Sequence, residues 1–223
     1  MNFLFYYELD SFELKSIFSE AIRHKIDLMS ISVSLMIKLS NLDFNSNLNS
    51  NTNCVFIKSK DTHRYCIISD NQIMSAILPF RFDFDCELNF NHDCDFIDLN
   101  DLYILSMCIS KIKYEIDNAI DLLSDDIRSI IDEVLIDELN LDKIQEFKYK
   151  KLLNHMFFQE DGYLRFDYDE ENSNGHIHPL NHIDINFSNN STFKLGLKER
   201  IDFHTFWDIL RSDTNCFYLD NIQ

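Results

Sequence analysis

The hydrophobic period of this chain switches repeatedly between that of a helix and that of a strand, and this restricts the fold more than any other feature. Asp10 and Glu13 stand three apart like the ends of a capping box, and Leu14, Ile17, Phe18, Ala21 and Ile22 follow at helical spacing. This predicts an amphipathic helix over about 11–26. From 29 to 90 the period shortens: "SISVSLMIKL", "NCVFIKSK", "HRYCIIS" and "IMSAILPFRFDF" read as strands of an antiparallel sheet. Between them "LDFNSNLNSNTN" reads as a loop and "KDTH" as a hairpin connection.

Beyond Asp98 the helical period returns, with Leu102, Leu105, Ile109, Ile112, Ile116 and Leu123 on one stripe. "DDIRSIIDEVLIDEL" and "LDKIQEFKYKKLLNHMFFQ" continue as two more helices that carry Asp and Glu outward. In the last third "YLRFDYD", "HIDINFS" and "TFKLGLK" alternate strictly, and "DFHTFWDILRS" reads as a short helix with Asp202 as N-cap and Trp207 as a core anchor. The expected fold class is therefore α+β, with antiparallel sheet packed against a layer of helices. No repeat and no linker rich in Gly or Pro interrupts it. One domain over 1–223 is expected: a helix and antiparallel strands in 1–97, a helical layer in 98–160, and a β-meander with a terminal helix in 161–223. The three glycines all fall in the last of these, where turns of positive φ are expected.

Charge narrows the function classes. Thirty-eight acidic against 20 basic residues leave a formal charge of −18, which excludes a protein that coats duplex DNA and suits either solubility or a basic protein partner. The opening "MNFLFYYELDSF" lacks the basic start of a secretion signal, no run is long enough to span a bilayer, and the six cysteines form no CxxC pair. Reduced thiols and a cytoplasmic address are the expectation. Cys86, His92 and Cys94 match no standard zinc spacing, and nucleotide-binding, nucleophile-elbow and zincin motifs are absent. His24, His63, His92, His155 and His204 are scattered and read as surface or satisfied core residues.

Chemistry concentrates in "YLRFDYDEENSNGHIHPLNHIDINF". Strand parity puts Leu164, Phe166 and Tyr168 on one face and Arg165, Asp167 and Asp169 on the other. On the return strand Ile183, Ile185 and Phe187 oppose His182, Asp184 and Asn186, and the third strand adds Lys194 and Lys198 to the polar side. A solvated sheet face explains this pattern. Two chemistries also fit: His176, His178, His182 and Asp184 could hold a divalent metal ion, or His182 could act as general base oriented by Asp167 while Arg165 or Lys194 stabilises an anionic transition state.

Arg165 and Asp167, His178 with Pro179 and His182, and the closing Phe206 and Tyr218 form a pattern over the last third that resembles the bacterial family known as domain of unknown function 2290. That resemblance implies a soluble bacterial protein, an accessory or effector in mobile or phage-defence gene neighbourhoods, and no set chemistry; His176 departs from the pattern. Two functions are thus carried forward. One is a cytoplasmic accessory or regulatory component docking a protein partner through the acidic helical layer, around Asp132, Glu133, Asp137 and Glu138. The other is a small RNase-like hydrolase, metal-dependent or not, using catalytic Arg165, Asp167, His178 and His182.

Overall fold

A computed structural model describes residues 3–19, 22–41, 53–59, 62–84, 88–93, 95–118, 124–175, 177–187, 193–211 and 213–215. Residues 42–52 of the loop expected at 42–53, together with His176, Cys86, Cys94 and Tyr218, lie outside them.

An α+β architecture is observed. The strands β1 (Phe3–Tyr7), β2 (Cys54–Lys58), β3 (His63–Ile68), β4 (Gln72–Ile77), β8 (Leu164–Tyr168), β9 (Asn181–Ile185) and β10 (Phe193–Leu197) form one antiparallel sheet in that spatial order. Strands β5 (Arg81–Phe84), β6 (Leu88–His92) and β7 (Asp95–Ile97) form a second, small antiparallel sheet. Helices α1 (Ser11–Phe18) and α2 (Lys25–Ser40) lie between β1 and β2 in sequence. Then come α3 (Leu99–Asn118), α4 (Ser124–Asp132), a π-helical turn (Glu133–Glu138) and α5 (Lys143–Phe158); α6 (Phe203–Ile209) follows β10.

The expected helix over 11–26 is two helices. The predicted box opens α1, with Asp10 Oδ1 accepting from the Glu13 amide at 2.8 Å and Glu13 Oε2 accepting from the Asp10 amide at 2.9 Å. The chain then restarts at α2, where Asp27 Oδ2 accepts from the His24 amide at 3.0 Å. "SISVSLMIKL" is accordingly the body of α2 and not a strand. Ile26, Met29, Val33 and Met36 repeat at three and four and are buried, as are Leu28, Ser32, Leu35 and Leu39. Ile31, Val33, Leu35, Ile37 and Leu39 also alternate, so period two and period 3.6 are both satisfied locally, and Asp27, bonded back to the N-cap His24, marks the start of a helix. "IMSAILPFRFDF" is likewise two strands in two sheets, divided at Pro79, which has no N–H for a ladder.

The large sheet is buried on both faces. Phe56, Tyr65, Ile67 and Met74 on one face meet α2, α3 and α5, while Val55, Ile57, Cys66, Ile73 and Phe166 on the other meet Phe206 and Trp207 of α6. Asp202 caps α6 as expected, its Oδ1 accepting from the Thr205 amide at 2.8 Å. The C-terminal meander β8–β9–β10 also forms, and it joins the N-terminal strands through β4 and β8. Among the described residues, no helix is long and apolar enough to cross a membrane.

Candidate functional site

The β4–β8 register places the polar residues of the meander. Ile73 lies opposite Phe166 in the α6-facing core, so Met74 and its partner Arg165 project towards the side of the helical layer. Asp167 pairs with His182, Arg165 with Asp184, and Lys194 with Asp184, which brings all five side chains to that side.

They do not form a solvated face. Asp167, His182 and Asp184 are 4%, 1% and 6% exposed, because the described residues between β8 and β9, His178 and Pro179 among them, fold back over β9 and β10. The Asn174 amide donates to the His178 carbonyl at 2.8 Å, closing a turn around Gly175, whose φ is +51°. That turn sets the His178 ring 4.7 Å from the His182 ring. Pro179 then lies over Gly196, where an added Cβ would come 2.9 Å from the proline Cγ. Gly162 also has φ of +51°, so two of the glycines take the expected positive φ, Gly175 in a turn, and Gly196 serves a close approach.

Within the cluster Arg165 is the organiser. Its Nε donates to Asp167 Oδ2 and its Nη2 to Asp184 Oδ2, both at 2.9 Å. Gln72 Nε2 donates to Asp167 Oδ1 at 2.8 Å. His182 Nδ1 lies 2.9 Å from the Pro179 carbonyl and His178 Nδ1 lies 2.8 Å from the Asn172 carbonyl. A carbonyl can only accept, so both Nδ1 atoms carry a proton and both Nε2 atoms are left as acceptors. Both point at Lys194, whose Nζ donates to His178 Nε2 at 2.7 Å and to His182 Nε2 at 3.2 Å.

Burial opposes the charge on Asp167, yet the neighbouring His182 ring, which donates to it when protonated at Nε2, and the bonds from Arg165 and Gln72 outweigh burial and hold its pKa below the ordinary carboxylate value. Burial likewise opposes charging His182, but hydrogen bonds to Asp167 and to the Pro179 carbonyl raise its pKa net, against the repulsion of Lys194. Protonation at Nε2 trades the Lys194 bond for one to Asp167 Oδ2, 3.3 Å away. Two carboxylates, one guanidinium and one ammonium balance each other here. One atom stands outside that balance: Asp184 Oδ1 is buried without a hydrogen-bond partner, 3.7 Å from both His182 Nε2 and Lys194 Nζ. Asp167, His182 and Asp184 offer ligand atoms that all lie within 4.8 Å of one another.

The structure thus brings together Arg165, Asp167, His178, His182, Asp184 and Lys194, with Asp169 Oδ2 3.7 Å from His178 Nε2 at the rim. Lys198 lies past the end of β10 and is exposed. Asn186, at φ +65°, ends the extended course, so Phe187 leaves the face expected for it and packs edge-on against Tyr163. Gln72 was invisible to local pattern, since β4 becomes a neighbour of β8 only across the whole helical layer. His63, His92 and His155, scattered in the sequence, come together in space, with His63 and His155 hydrogen-bonded as satisfied core residues are. All three line one cavity of about 290 Å³, with the His92 and His155 rings 4.0 Å apart. Their spacing in sequence carries no sign of this.

On the helical layer the expected acidic residues are partly neutralised from within. Asp132 pairs with Lys150, and Glu133 and Glu138 lie 3.0 and 3.8 Å from Lys111, while Asp137 is exposed. Apolar exposure is the less expected feature. Ile144, Phe147 and Phe158 are 82%, 72% and 86% exposed and share the face of α5 opposite its buried Tyr149, Leu152, Leu153 and Met156. Tyr103, Met107 and Tyr114 form a similar outward stripe on α3.

No family model, no curated protein and no solved structure matches the chain.

Proposed function

We propose that the protein is a cytoplasmic bacterial accessory or regulatory component that docks a basic, amphipathic helix of a protein partner on its helical layer. The observation that carries this reading is the outward stripe of Ile144, Phe147 and Phe158 on α5. Single exposed apolar residues are ordinary, but Ile144 and Phe147 one turn apart, with Phe158 further along the same face beyond Lys151 and Asn154, suit the apolar face of a partner helix. Acidic Asp137 and Glu138 lie on the π-helical turn, and the Lys150–Asp132 ion pair ties the start of that turn to α5. With a formal charge of −18, the favoured partner is basic. The resemblance carried by Arg165, Asp167, His178, Pro179 and His182 adds the setting of a phage-defence or toxin-type system.

The alternative is RNA hydrolysis by Arg165, Asp167, His178 and His182. It requires a phosphate to reach a histidine that is 1% exposed and flanked by two carboxylates.

Placing a photo-reactive phenylalanine analogue at Phe158 in the native host, with Phe147 intact or substituted, and identifying the cross-linked species tests the docking reading. A basic protein is expected, its capture reduced by about tenfold or more in Phe147→Asp, as for a truncated interface anchor. Melting temperature should stay unchanged. Equal capture by the wild type and Phe147→Asp would overturn it, and RNA cleavage lost in a folded His182→Ala protein would replace it with the hydrolase.

A further inference from the structure

The two imidazoles of the meander are set as a metal site sets them. In metal-binding proteins a ligating histidine has its second nitrogen held by a carbonyl or carboxylate, which fixes the tautomer and aims the lone pair. Here Asn172 and Pro179 supply carbonyls to Nδ1 of His178 and His182, and both Nε2 lone pairs meet at one point. The third donor is Asp184 Oδ1, buried and without a hydrogen bond, 3.7 Å from His182 Nε2. Ligands about 2.0–2.1 Å from a tetrahedral ion stand roughly 3.4 Å apart, so this edge is close to what zinc-type coordination uses. The donors within 4.8 Å of one another, however, are those of Asp167, His182 and Asp184, so His178 Nε2 has to close in on its loop as the ion replaces the ammonium. Asp184 Oδ2 is already fixed by Arg165, which orients the carboxylate as an outer-shell partner would.

What sits at the point of convergence is an ammonium. Lys194 occupies it as a monovalent, internal cation, on a long stem from an edge strand, with 28% of its side chain exposed. Its stem can swing to solvent without disturbing the strand. The groups other than His178 stay in place, because Asp167 is saturated by Arg165 and Gln72.

We propose that a first-row divalent transition metal ion of the zinc and cobalt class binds between His178 Nε2, His182 Nε2 and Asp184 Oδ1, displacing the ammonium of Lys194. Two nitrogen donors and one carboxylate select this class over magnesium or calcium, which take oxygen ligands. Asp169 Oδ2 lies 3.7 Å from His178 Nε2 at the rim, and a fourth position would be filled by water or a substrate oxygen. The carboxylate of Asp169 there offsets the extra positive charge of a divalent ion.

Titrating the full-length, metal-stripped protein with Co²⁺ and following the visible d–d absorption tests this, with Zn²⁺ competition as a second readout. One equivalent of Co²⁺ should bind with the intense bands of a low-coordinate site, and Zn²⁺ should bleach them and raise the melting temperature. His178→Ala removes a ligand at the rim and should weaken binding by about tenfold or more. Lys194→Met removes the competing cation and should tighten it by about the same factor. Circular dichroism confirms that both variants are folded. Absence of stoichiometric binding to the wild type overturns the proposal, including the case where only Lys194→Met binds and the lysine is a permanent plug. Binding unaffected by His178→Ala overturns it as well, since the ion would then lie elsewhere.

Discussion

His63 shows how a single buried side chain ties the fold to pH. Its Nδ1 accepts from the Phe82 amide at 2.9 Å, which demands a neutral ring, and burial, aided by Lys58, pushes its pKa from 6.5 down to about 4. In the unfolded chain the same imidazole titrates near 6.5. Between these values the unfolded state binds more protons, so stability is complete above about pH 6.5 and declines as pH falls towards 4, where the effect saturates. The loss should be on the order of 2–3 kcal/mol. Urea unfolding of the wild type and His63→Gln across this range checks it: the two curves should converge as pH falls, and parallel curves would show that His63 carries no linkage. The cluster around His182 obeys the opposite logic, since there the hydrogen-bond partners favour the charged ring against burial.

At the scale of elements, the described segment between β8 and β9 decides what the meander is. Strand alternation in the sequence located Arg165, Asp167, His182, Asp184 and Lys194 on one side, and β8, β9, β10 and α6 were legible from their own residues. Alternation cannot tell a face that meets water from one covered by the chain's own return, so the burial of His182 was not legible. Nor was Gln72, whose contact depends on the β4–β8 pairing. The strand pattern expected over α2 arises because Ile31, Val33, Leu35, Ile37 and Leu39 alternate as a strand's residues do, and β1 carries no expectation because five residues are too few to declare a period. The closeness of Pro179 to Gly196 makes the cover testable. Gly196→Ala pushes a methyl into the proline ring and should cost about 1–3 kcal/mol, while the same change in a Pro179→Ala background should cost much less. Chemical denaturation of the four proteins of this cycle measures the coupling; strictly additive costs would mean that the segment does not lie on β10.

For the whole molecule, charge and connectivity set the terms. With a formal charge of −18, self-repulsion outweighs the scattered surface pairs such as Lys111–Glu133. Raising NaCl from about 10 mM to about 150 mM shortens the screening length from roughly 30 Å to 8 Å and should raise the melting temperature by a few degrees. A fall in melting temperature by scanning calorimetry would show that local ion pairs dominate instead. Connectivity acts on time. Because β4, ending at Ile77, takes β8, starting at Leu164, as its neighbour, a nascent chain completes one half of its central pairing long before the other half exists. At about 5–20 residues per second that interval lasts roughly 4–17 s, during which the open edge of β4 has only the growing helical layer to shelter it.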